Sequence, residues 1–235
     1  MTPYEPIDAF ADWGIRALVT TRHAGTFSTL SDEPAHAVLG RWDALRAHLF
    51  GGTDEGRLAT ARQVHAAHVL VHDGPWTGWL RGPAADGHLA PARGTALAVS
   101  VADCVPVFVA HPTGATALLH SGWRGTEANI LAAAVRLLDS RGCRPGDLRV
   151  VTGAAICGRC YEVSPDVYGR LTGRHVEVPT PVDLRALIAA QARDLGVRDV
   201  RPEAPCTRCD NDRFYSHRAG DLGRQLGVLY APPSG

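Results

Sequence analysis

The stretch that decides the fold is TALAVSVADCVPVFVA, residues 95–110. It contains two short apolar runs, 95–101 and 105–110, on either side of Ala-Asp-Cys. Short runs that are rich in Val and Ala and are bounded by polar residues or Pro are typical of buried strands. The stretch therefore predicts two buried strands, with Asp103 and Cys104 at the strand ends between them.

Similar apolar runs on both sides of this stretch predict four further strands, at residues 15–20, 69–72, 116–120 and 148–152. Amphipathic spacing predicts helices at 41–50 and 127–138. Residues typical of helix caps predict two more helices, which start at Ser164-Pro165 and at 180–183. Because strands and helices mix in both orders, we expect one α/β (α+β) domain that spans residues 1–235.

Composition narrows the class of protein. The chain has 235 residues with 24 basic and 24 acidic side chains, so its formal net charge is zero. A general nucleic-acid or anionic-membrane binder needs a basic excess, and we therefore expect neither partner. All the basic residues are Arg. Without Lys the chain cannot form a lysine Schiff base or complete a Walker-A phosphate loop.

The sequence also bears on the compartment. Residues 1–20 carry three acids and have no apolar core of the signal-peptide type. The most apolar stretch, 96–110, is interrupted by Asp103 and Pro106, so we do not expect it to span a membrane. We expect a cytoplasmic protein. Its six cysteines would then be metal ligands, nucleophiles or buried thiols rather than disulfides.

Reactive side chains gather in three segments at predicted strand ends: His65 in QVH, Cys104 in ADCVP and His120 in HSGWRG. These residues are so far apart in sequence that only the fold can bring them together. One thiolate and two imidazoles are a familiar ligand set for an open catalytic zinc ion. The alternative for Cys104 is a small buried apolar side chain.

These motifs resemble those of the bacterial laccase-domain proteins, which are regarded as multifunctional purine nucleoside phosphorylases. The resemblance covers about residues 15–230. Its motifs are, in order, QVH at 63–65, ADCVP at 102–106, HSGWRG at 120–125, CYEV at 160–163 and FYSHR at 214–218. The pair ADCVP and HSGWRG is specific. The chain departs from the family pattern at Ser121, where Ala is common, and at Ala219, where a second Arg is usual.

The resemblance implies that His65, Cys104 and His120 are the catalytic residues and the ligands of a zinc ion, which copper could replace in vitro. It favours His65 over His68 and His72, which are alternative ligands by position. It also implies a four-layer α/β/β/α arrangement with mixed sheets. The implied activities are phosphate-dependent release of purine base from adenosine, inosine, guanosine and S-methyl-5′-thioadenosine, and deamination of adenosine. The expected partners are purine nucleoside and phosphate, and no obligate protein partner is inferred.

Three further residues are predicted to bind substrate: Gln63, Arg124 and Arg218. Arg124 precedes the predicted helix start at Glu127, where a guanidinium beside helix N–H groups would favour an oxyanion. The alternative for Arg124 is an ion pair with Asp103 or Glu127. Gln63 would recognise the base or orient a water, and its alternative is a hydrogen bond to a buried backbone edge.

Other functions remain open at this point. A metal-free hydrolase or deamidase would use Cys104 as the nucleophile and His120 as its base. A binding protein would carry a purely structural metal. A copper-dependent polyphenol oxidase is disfavoured, because the chain has no His-x-His pair and its only methionine is Met1.

A second group of cysteines forms two C-x-x-C pairs, which are typical half-sites of a structural zinc. The pairs are Cys157 with Cys160, and Cys206 with Cys209. The gap of 46 positions between the pairs exceeds the roughly 15–20 residues usual for such sites. Buried free thiols are therefore favoured over a second zinc from sequence alone.

Overall fold

The computed structural model describes residues 2–52, 56–202 and 204–234. In this part of the chain the strands form two six-stranded sheets and a short pair. The first sheet contains, in spatial order, β1 (Tyr4–Pro6), β2 (Arg16–Thr20), β14 (Gln225–Tyr230), β7 (Thr95–Val101), β3 (Arg57–Arg62) and β5 (Gly78–Ala84). The second contains β13 (Asp199–Arg201), β10 (Arg149–Thr152), β8 (Val105–Ala110), β9 (Thr116–Ser121), β6 (Gly87–Ala90) and β4 (Val69–Val71). The short pair is β11 (Glu162–Val163) with β12 (Thr180–Pro181).

Five α-helices are found in the described residues. They are α1 (Ala35–Phe50), α2 (Trp123–Glu127), α3 (Ile130–Asp139), α4 (Pro165–Thr172) and α5 (Leu184–Asp194). Short 3-10 turns occur at Asp8–Trp13, Arg22–Ala24 and Pro145–Asp147. Within the same residues, none of the helices has the length and apolar character needed to cross a membrane.

The inner faces of the two sheets share one apolar core. Leu97 and Leu229 enter it from the first sheet, and Phe108 and Leu118 enter it from the second. All four side chains are fully buried. The sheets approach so closely at Gly227 that a Cβ there would lie 3.2 Å from the Phe108 ring. Side chains of both sheets therefore build the interior together.

The helices cover the outer faces of the sheets. Trp42 and Leu45 of α1 pack on the first sheet, and Leu131 of α3 and Ile188 of α5 pack on the second. The layers thus follow the order helix, sheet, sheet, helix. Both sheets contain parallel and antiparallel neighbours. The predicted α/β fold, with four layers and mixed sheets, is confirmed, whereas the extent of the domain over the whole of 1–235 stays a prediction.

The two strands of the opening stretch lie in different sheets. Residues 102–104 carry the chain from β7 in the first sheet to β8 in the second. Residues 63–68 make a second crossing, from β3 in the first sheet to β4 in the second. The crossings lie side by side, because the Gln63 amide exchanges hydrogen bonds of 2.8 and 2.7 Å with the Ser100 backbone. This arrangement brings two of the candidate ligands to one edge of the molecule.

The predicted strands are found with shifts of a residue or two at their ends, but three helix predictions need correction at their starts. The helix predicted at 41–50 begins earlier, at Ala35, directly after Pro34. The predicted helix at 127–138 is wrong at its start, because the chain forms α2 and α3 with a break at Asn129. Asn129 has a left-handed backbone (φ 51°) and its side chain accepts from the backbone N–H of Ala132, so it caps a new helix. The helix predicted to start at 180–183 begins only after Asp183, which caps α5. Ser164 caps α4 as predicted.

Truncation of Phe108 should be among the most destabilising single changes in this fold. Phe108→Ala removes a fully buried ring that spans the space between the sheets. We expect the free energy of unfolding to fall by about 3–5 kcal/mol, because the sheets cannot close the cavity. Urea denaturation measures the loss. Leu222→Ala, at a side chain that is 56% exposed, is the control and should change stability by less than about 0.5 kcal/mol.

Candidate metal centre

Three segments place the candidate ligands around one point. His65 lies in the crossing after β3, Cys104 lies immediately before β8, and His120 lies in β9. The antiparallel register pairs His120 with Pro106, two residues beyond Cys104. One ligand atom from each of the three residues lies within 4.8 Å of the other two. The predicted triad is therefore assembled by the fold.

A buried carboxylate, Asp86, organises this triad. One of its oxygens accepts the backbone N–H of His65 at 2.9 Å and Nδ1–H of His120 at 2.8 Å. The other accepts the backbone N–H groups of Val64 at 3.1 Å and Ala66 at 2.8 Å. Because a carboxylate only accepts, Nδ1 of His120 must donate, which leaves Nε2 free to bind a metal.

The charge state of Asp86 follows from these contacts. The side chain is fully buried, and burial alone would raise its pKa. The hydrogen bonds from His120 and from the backbone N–H groups of Ala66 and Val64 outweigh burial and lower the pKa to about 2. Asp86 is therefore ionised and holds His120 in one orientation.

Two non-glycine residues of the site have left-handed backbones. They are His65 with φ 58° and Asp103 with φ 80°. Such conformations are rare outside glycine and persist where surrounding contacts hold them. His65 is held by Asp86. Asp103 accepts from Thr207 Oγ1 at 2.6 Å and from the Arg218 backbone N–H at 2.7 Å. The turn that presents Cys104 is thus anchored to the C-terminal part of the chain.

Gly122 keeps space beside the thiol. A Cβ at this position would lie 2.8 Å from Cys104 Sγ and 3.4 Å from His65 Cδ2. No other residue fits there without displacing a ligand. The glycine of the HSGWRG motif is therefore required by the packing of the triad.

In the absence of a metal, Cys104 favours the protonated form of His120, and His120 favours the thiolate form of Cys104. Burial opposes both charged forms. The histidines His120 and His65 nevertheless lower the pKa of Cys104. In turn Cys104 and Asp86 raise the pKa of His120. The thiolate, which is the form that binds metals and acts as a nucleophile, is thus favoured.

The triad is open on one side. His65 is exposed and Cys104 is half-buried, whereas His120 is only 4% exposed. Tyr161 borders the same region. Burial of its side chain, and then the negative charge of the nearby Cys104, raise the pKa of Tyr161 to about 12. Arg218 stands over the Tyr161 ring with its guanidinium carbon 5.2 Å from the centroid. An exposed ligand beside a buried one suits a site that must admit a small molecule.

The predicted substrate-binding residues have different surroundings. Both ends of the Gln63 amide are occupied by the Ser100 backbone, which is the alternative offered for this residue, so direct contact with a base stays a prediction. Arg124 lies inside α2 rather than before a helix start at Glu127, which corrects that placement. In the described residues Arg124 forms no ion pair with Asp103 or Glu127. Arg218 is exposed, and its side chain donates to the Glu162 carbonyl at 3.1 Å.

The Trp123 ring is in contact with two arginines. The guanidinium carbons of Arg124 and Arg170 lie 4.3 and 5.2 Å from its ring centroid. Arg170 also forms the ion pair with Glu127, at 2.7 Å. Cation–π contact therefore holds the Arg124 guanidinium against the Trp123 ring.

The other histidines of this region lie outside the triad. His68 is exposed and its Nδ1 lies 3.1 Å from the Ala84 carbonyl. His72 is buried, with its Nε2 2.9 Å from Nδ1 of His88. Neither residue joins His65, Cys104 and His120 in the ligand group.

Sequence reasoning missed Asp86. Its only local signal is an acid placed immediately before the short apolar strand β6. A buried acid needs hydrogen-bond partners, but the partners of Asp86 come from two distant segments, which the sequence does not connect.

Comparison with known proteins places this geometry in a family. Residues 17–231 match the profile of the family described as multi-copper polyphenol oxidoreductase laccase. The chain is 36% identical over 231 residues to purine nucleoside phosphorylase ORF3 of Streptomyces griseus, covering 94% of this chain and 93% of that one. It is 34% identical to a purine nucleoside phosphorylase of Streptomyces coelicolor, covering 93% and 92%.

Solved structures share the fold. A Neisseria meningitidis protein of family DUF152 superposes with a TM-score of 0.84 at 23% identity, covering 99% of this chain and 100% of that one. The YlmD protein of Geobacillus stearothermophilus superposes with a TM-score of 0.82 at 26% identity, covering 94% and 93%.

Removing the charge of Asp86 should weaken metal binding without touching a ligand. In Asp86→Asn the amide nitrogen would face backbone N–H donors, and the hold on His120 would loosen. We expect zinc affinity to fall about 10–100-fold, measured by competition with a chelator on protein that melts cooperatively. Asp139→Asn, at an exposed acid at the end of α3, is the control. Unchanged zinc affinity in folded Asp86→Asn would show that the carboxylate does not position His120.

Proposed function

The chain belongs to the laccase-like family that this profile describes, and from that premise we propose that it is a zinc-dependent purine nucleoside phosphorylase. The shared name of its relatives supports the phosphorylase activity. The observation that carries the proposal is the convergence of His65, Cys104 and His120, backed by Asp86, at an accessible edge of the fold.

The donor set fits zinc. A soft thiolate with two imidazoles favours zinc or copper over magnesium or calcium. Cys104 would supply the sulfur, and His120 would bind through Nε2 because its Nδ1 is engaged by Asp86. A zinc ion with three protein ligands supplies a Lewis acid with one exchangeable position.

Two arginines beside the triad suit a phosphate dianion. Arg124 and Arg218 are exposed, and within the described residues neither forms an ion pair with a carboxylate. Both guanidinium groups lower the pKa of Tyr161 while Cys104 raises it, so all three charges act on one hydroxyl. Guanidinium groups hold phosphate oxygens by charge-assisted hydrogen bonds. We therefore assign phosphate to the region between these arginines and the triad.

Phosphorolysis requires that these residues hold phosphate and assist departure of the purine base. In phosphorolysis a phosphate oxygen bonds to the ribose carbon, the N-glycosidic bond breaks, and the departing purine nitrogen takes up a proton. Arg124 and Arg218 hold and orient the phosphate. Tyr161 is protonated at neutral pH, and burial raises its pKa further, to about 12, so its hydroxyl is an available hydrogen-bond donor beside the site.

The proposal extends to adenosine, inosine, guanosine and S-methyl-5′-thioadenosine as nucleoside substrates, and to adenosine deamination at the same site. In deamination a water oxygen bonds to C6 of the base and the amine leaves, so no dianion is needed. We also keep the cytoplasm as the proposed compartment, since free thiols persist under reducing conditions.

A metal-free hydrolase or deamidase is the second candidate, and one observation favours it. His120 and His65 lower the pKa of Cys104, as they would for a nucleophilic thiolate. The two candidates separate on chelation. Activity that survives complete removal of metal favours the nucleophile, and activity that returns only with zinc favours the phosphorylase.

The oxidase activity in the family description has less support here. Among the described residues, the groups able to hold a metal are one His-Cys-His set and one set of four cysteines. Multicopper chemistry would need several histidine-rich sites, and the only methionine is Met1. Copper at His65, Cys104 and His120 is therefore proposed only as a substitute for zinc in vitro.

Loss of the thiolate should abolish both metal binding and phosphorolysis. We expect Cys104→Ala to lose one equivalent of zinc and most phosphate-dependent release of base from adenosine, inosine and S-methyl-5′-thioadenosine, because the only anionic ligand is gone. Chromatography of the free base, with and without phosphate, measures the activity. Cys143→Ala, at a buried cysteine outside both ligand groups, is the control. Unchanged zinc content and activity in Cys104→Ala would refute the metal centre.

Loss of the Arg124 cation should affect phosphate use selectively. Arg124→Ala should raise the KM for phosphate about tenfold or more, since a charge-assisted hydrogen bond contributes roughly 1.5–3 kcal/mol. Adenosine deamination, which uses no dianion, should change much less. Arg136→Ala, at an exposed arginine of α3, is the matched control. Equal losses in both activities would instead assign Arg124 a structural role.

A further inference from the structure

Four cysteines outside the triad converge at a second place. We propose that Cys157, Cys160, Cys206 and Cys209 hold a structural zinc ion that is separate from the catalytic one. This inference does not depend on the proposed phosphorylase activity. It rests on the topology, the sulfur geometry and the backbone hydrogen bonds of the two C-x-x-C turns.

The topology removes the objection raised by the long gap between the pairs. β10 and β13 are parallel neighbours, so the segments that follow them leave the sheet at the same edge. These segments stay paired, because Ala155 bridges Cys206 and exchanges backbone hydrogen bonds of 3.2 and 3.1 Å with Pro205 and Thr207. The 45 residues between Cys160 and Cys206 belong to the crossover connection that contains α4 and α5. A long connection between the two C-x-x-C turns is therefore expected, because parallel neighbouring strands are joined by a crossover of about a dozen residues or more.

The sulfur positions suit a tetrahedral metal. All four Sγ atoms lie within 4.8 Å of one another, and those of Cys160 and Cys209 are 3.5 Å apart. Zinc–sulfur bonds of about 2.3 Å in a tetrahedron would separate the sulfurs by about 3.8 Å. A disulfide requires about 2.05 Å. The cluster is therefore close to the spacing of a four-thiolate site.

Two backbone N–H groups of the C-x-x-C turns are directed at one of the four sulfur atoms. Cys206 Sγ accepts the backbone N–H groups of Cys157 at 3.2 Å and Cys209 at 3.4 Å. Sulfur is a weak acceptor when it is a thiol, so two backbone N–H groups directed at one sulfur match the contacts expected around a metal-bound cysteine. Such hydrogen bonds are the outer contacts that orient and stabilise metal ligands.

Both turns carry features that a charged cluster needs. An arginine precedes the second cysteine of each pair, Arg159 in one and Arg208 in the other. Arg208 donates to the Cys160 carbonyl at 3.3 Å and so ties one turn to the other. Four thiolates with one divalent zinc would carry a net charge of −2, and both turns contain an arginine of opposite charge. Gly158 is required in its turn, because a Cβ there would lie 2.8 Å from the Asp183 side chain.

The second site also supports the first. Tyr161 follows Cys160 directly, and its backbone N–H donates to the Cys157 carbonyl at 3.1 Å. Thr207 follows Cys206, and its hydroxyl donates to Asp103 at 2.6 Å, next to Cys104. A zinc ion in the cysteine cluster would thus fix both turns that border the catalytic centre. Structural zinc sites of this closed kind contribute directly to folding.

Metal content of the full-length protein, purified without chelator, tests the proposal. We expect two zinc ions per chain in the wild type, one in Cys206→Ser/Cys209→Ser, and one in Cys104→Ala. The double variant should also melt at a clearly lower temperature. Cys143→Ser, at the remaining cysteine, is the control and should keep two zinc ions.

A second measurement keeps the test decisive if the double variant does not fold. Cys104→Ala, refolded with cobalt in place of zinc, should show the visible spectrum of a tetrahedral four-thiolate site, and its four clustered thiols should resist a thiol reagent until cobalt is removed. The proposal is overturned if wild type holds one zinc and Cys104→Ala none. It is equally overturned by iron in place of zinc, by a disulfide between the pairs, or by rapid reaction of all four thiols in the folded protein.

Discussion

The ionised carboxylate of Asp86 is the contact on which the candidate metal centre depends. It accepts the backbone N–H groups of three consecutive residues, 64–66, and Nδ1–H of His120. One buried charge thus joins a crossing segment to a strand of the second sheet. Burial of a charge is costly unless every hydrogen bond is made, so this contact also fixes the left-handed conformation of His65 and the tautomer of His120. The positions of His65 and His120 therefore follow from the hydrogen bonds that the Asp86 carboxylate accepts.

The position of the site follows from the two crossings between the sheets. One crossing presents His65, the other presents Cys104, and the Gln63–Ser100 hydrogen bonds keep them side by side. Outside this edge the two sheets are closed by a dense apolar core around Phe108 and Leu118. The triad lies where the chain leaves one sheet and enters the other. At that edge the buried carboxylate of Asp86, the Cys104 sulfur and the exposed His65 imidazole are neighbours.

The two sulfur-containing clusters have opposite character. The triad has one thiolate and an exposed histidine, so it suits an ion that exchanges ligands. The four-cysteine cluster offers a complete sulfur shell with inward N–H donors, so it suits an ion that only holds structure. The two clusters are linked in two places. The Thr207 hydroxyl, next to Cys206, donates a hydrogen bond to Asp103, and Tyr161 directly follows Cys160 in the chain. A change at the closed cluster would alter the walls of the open one.

The sequence alone predicted six of the fourteen strands found in the described residues, the α/β class, and the residue types of the triad, because apolar runs and reactive side chains at strand ends are local patterns. It also predicted the cap Ser164 correctly, and it placed the start of α5 about three residues before the actual cap, Asp183. It did not reveal Asp86, the break at Asn129, or the approach of the four cysteines. Those features depend on which strands become neighbours: parallel pairing of β10 with β13 aligns the two C-x-x-C turns, and the crossings bring the Asp86 partners together. Tertiary structure decided them, because a buried charge and a shared metal site each join residues whose separation along the chain carries no local signal.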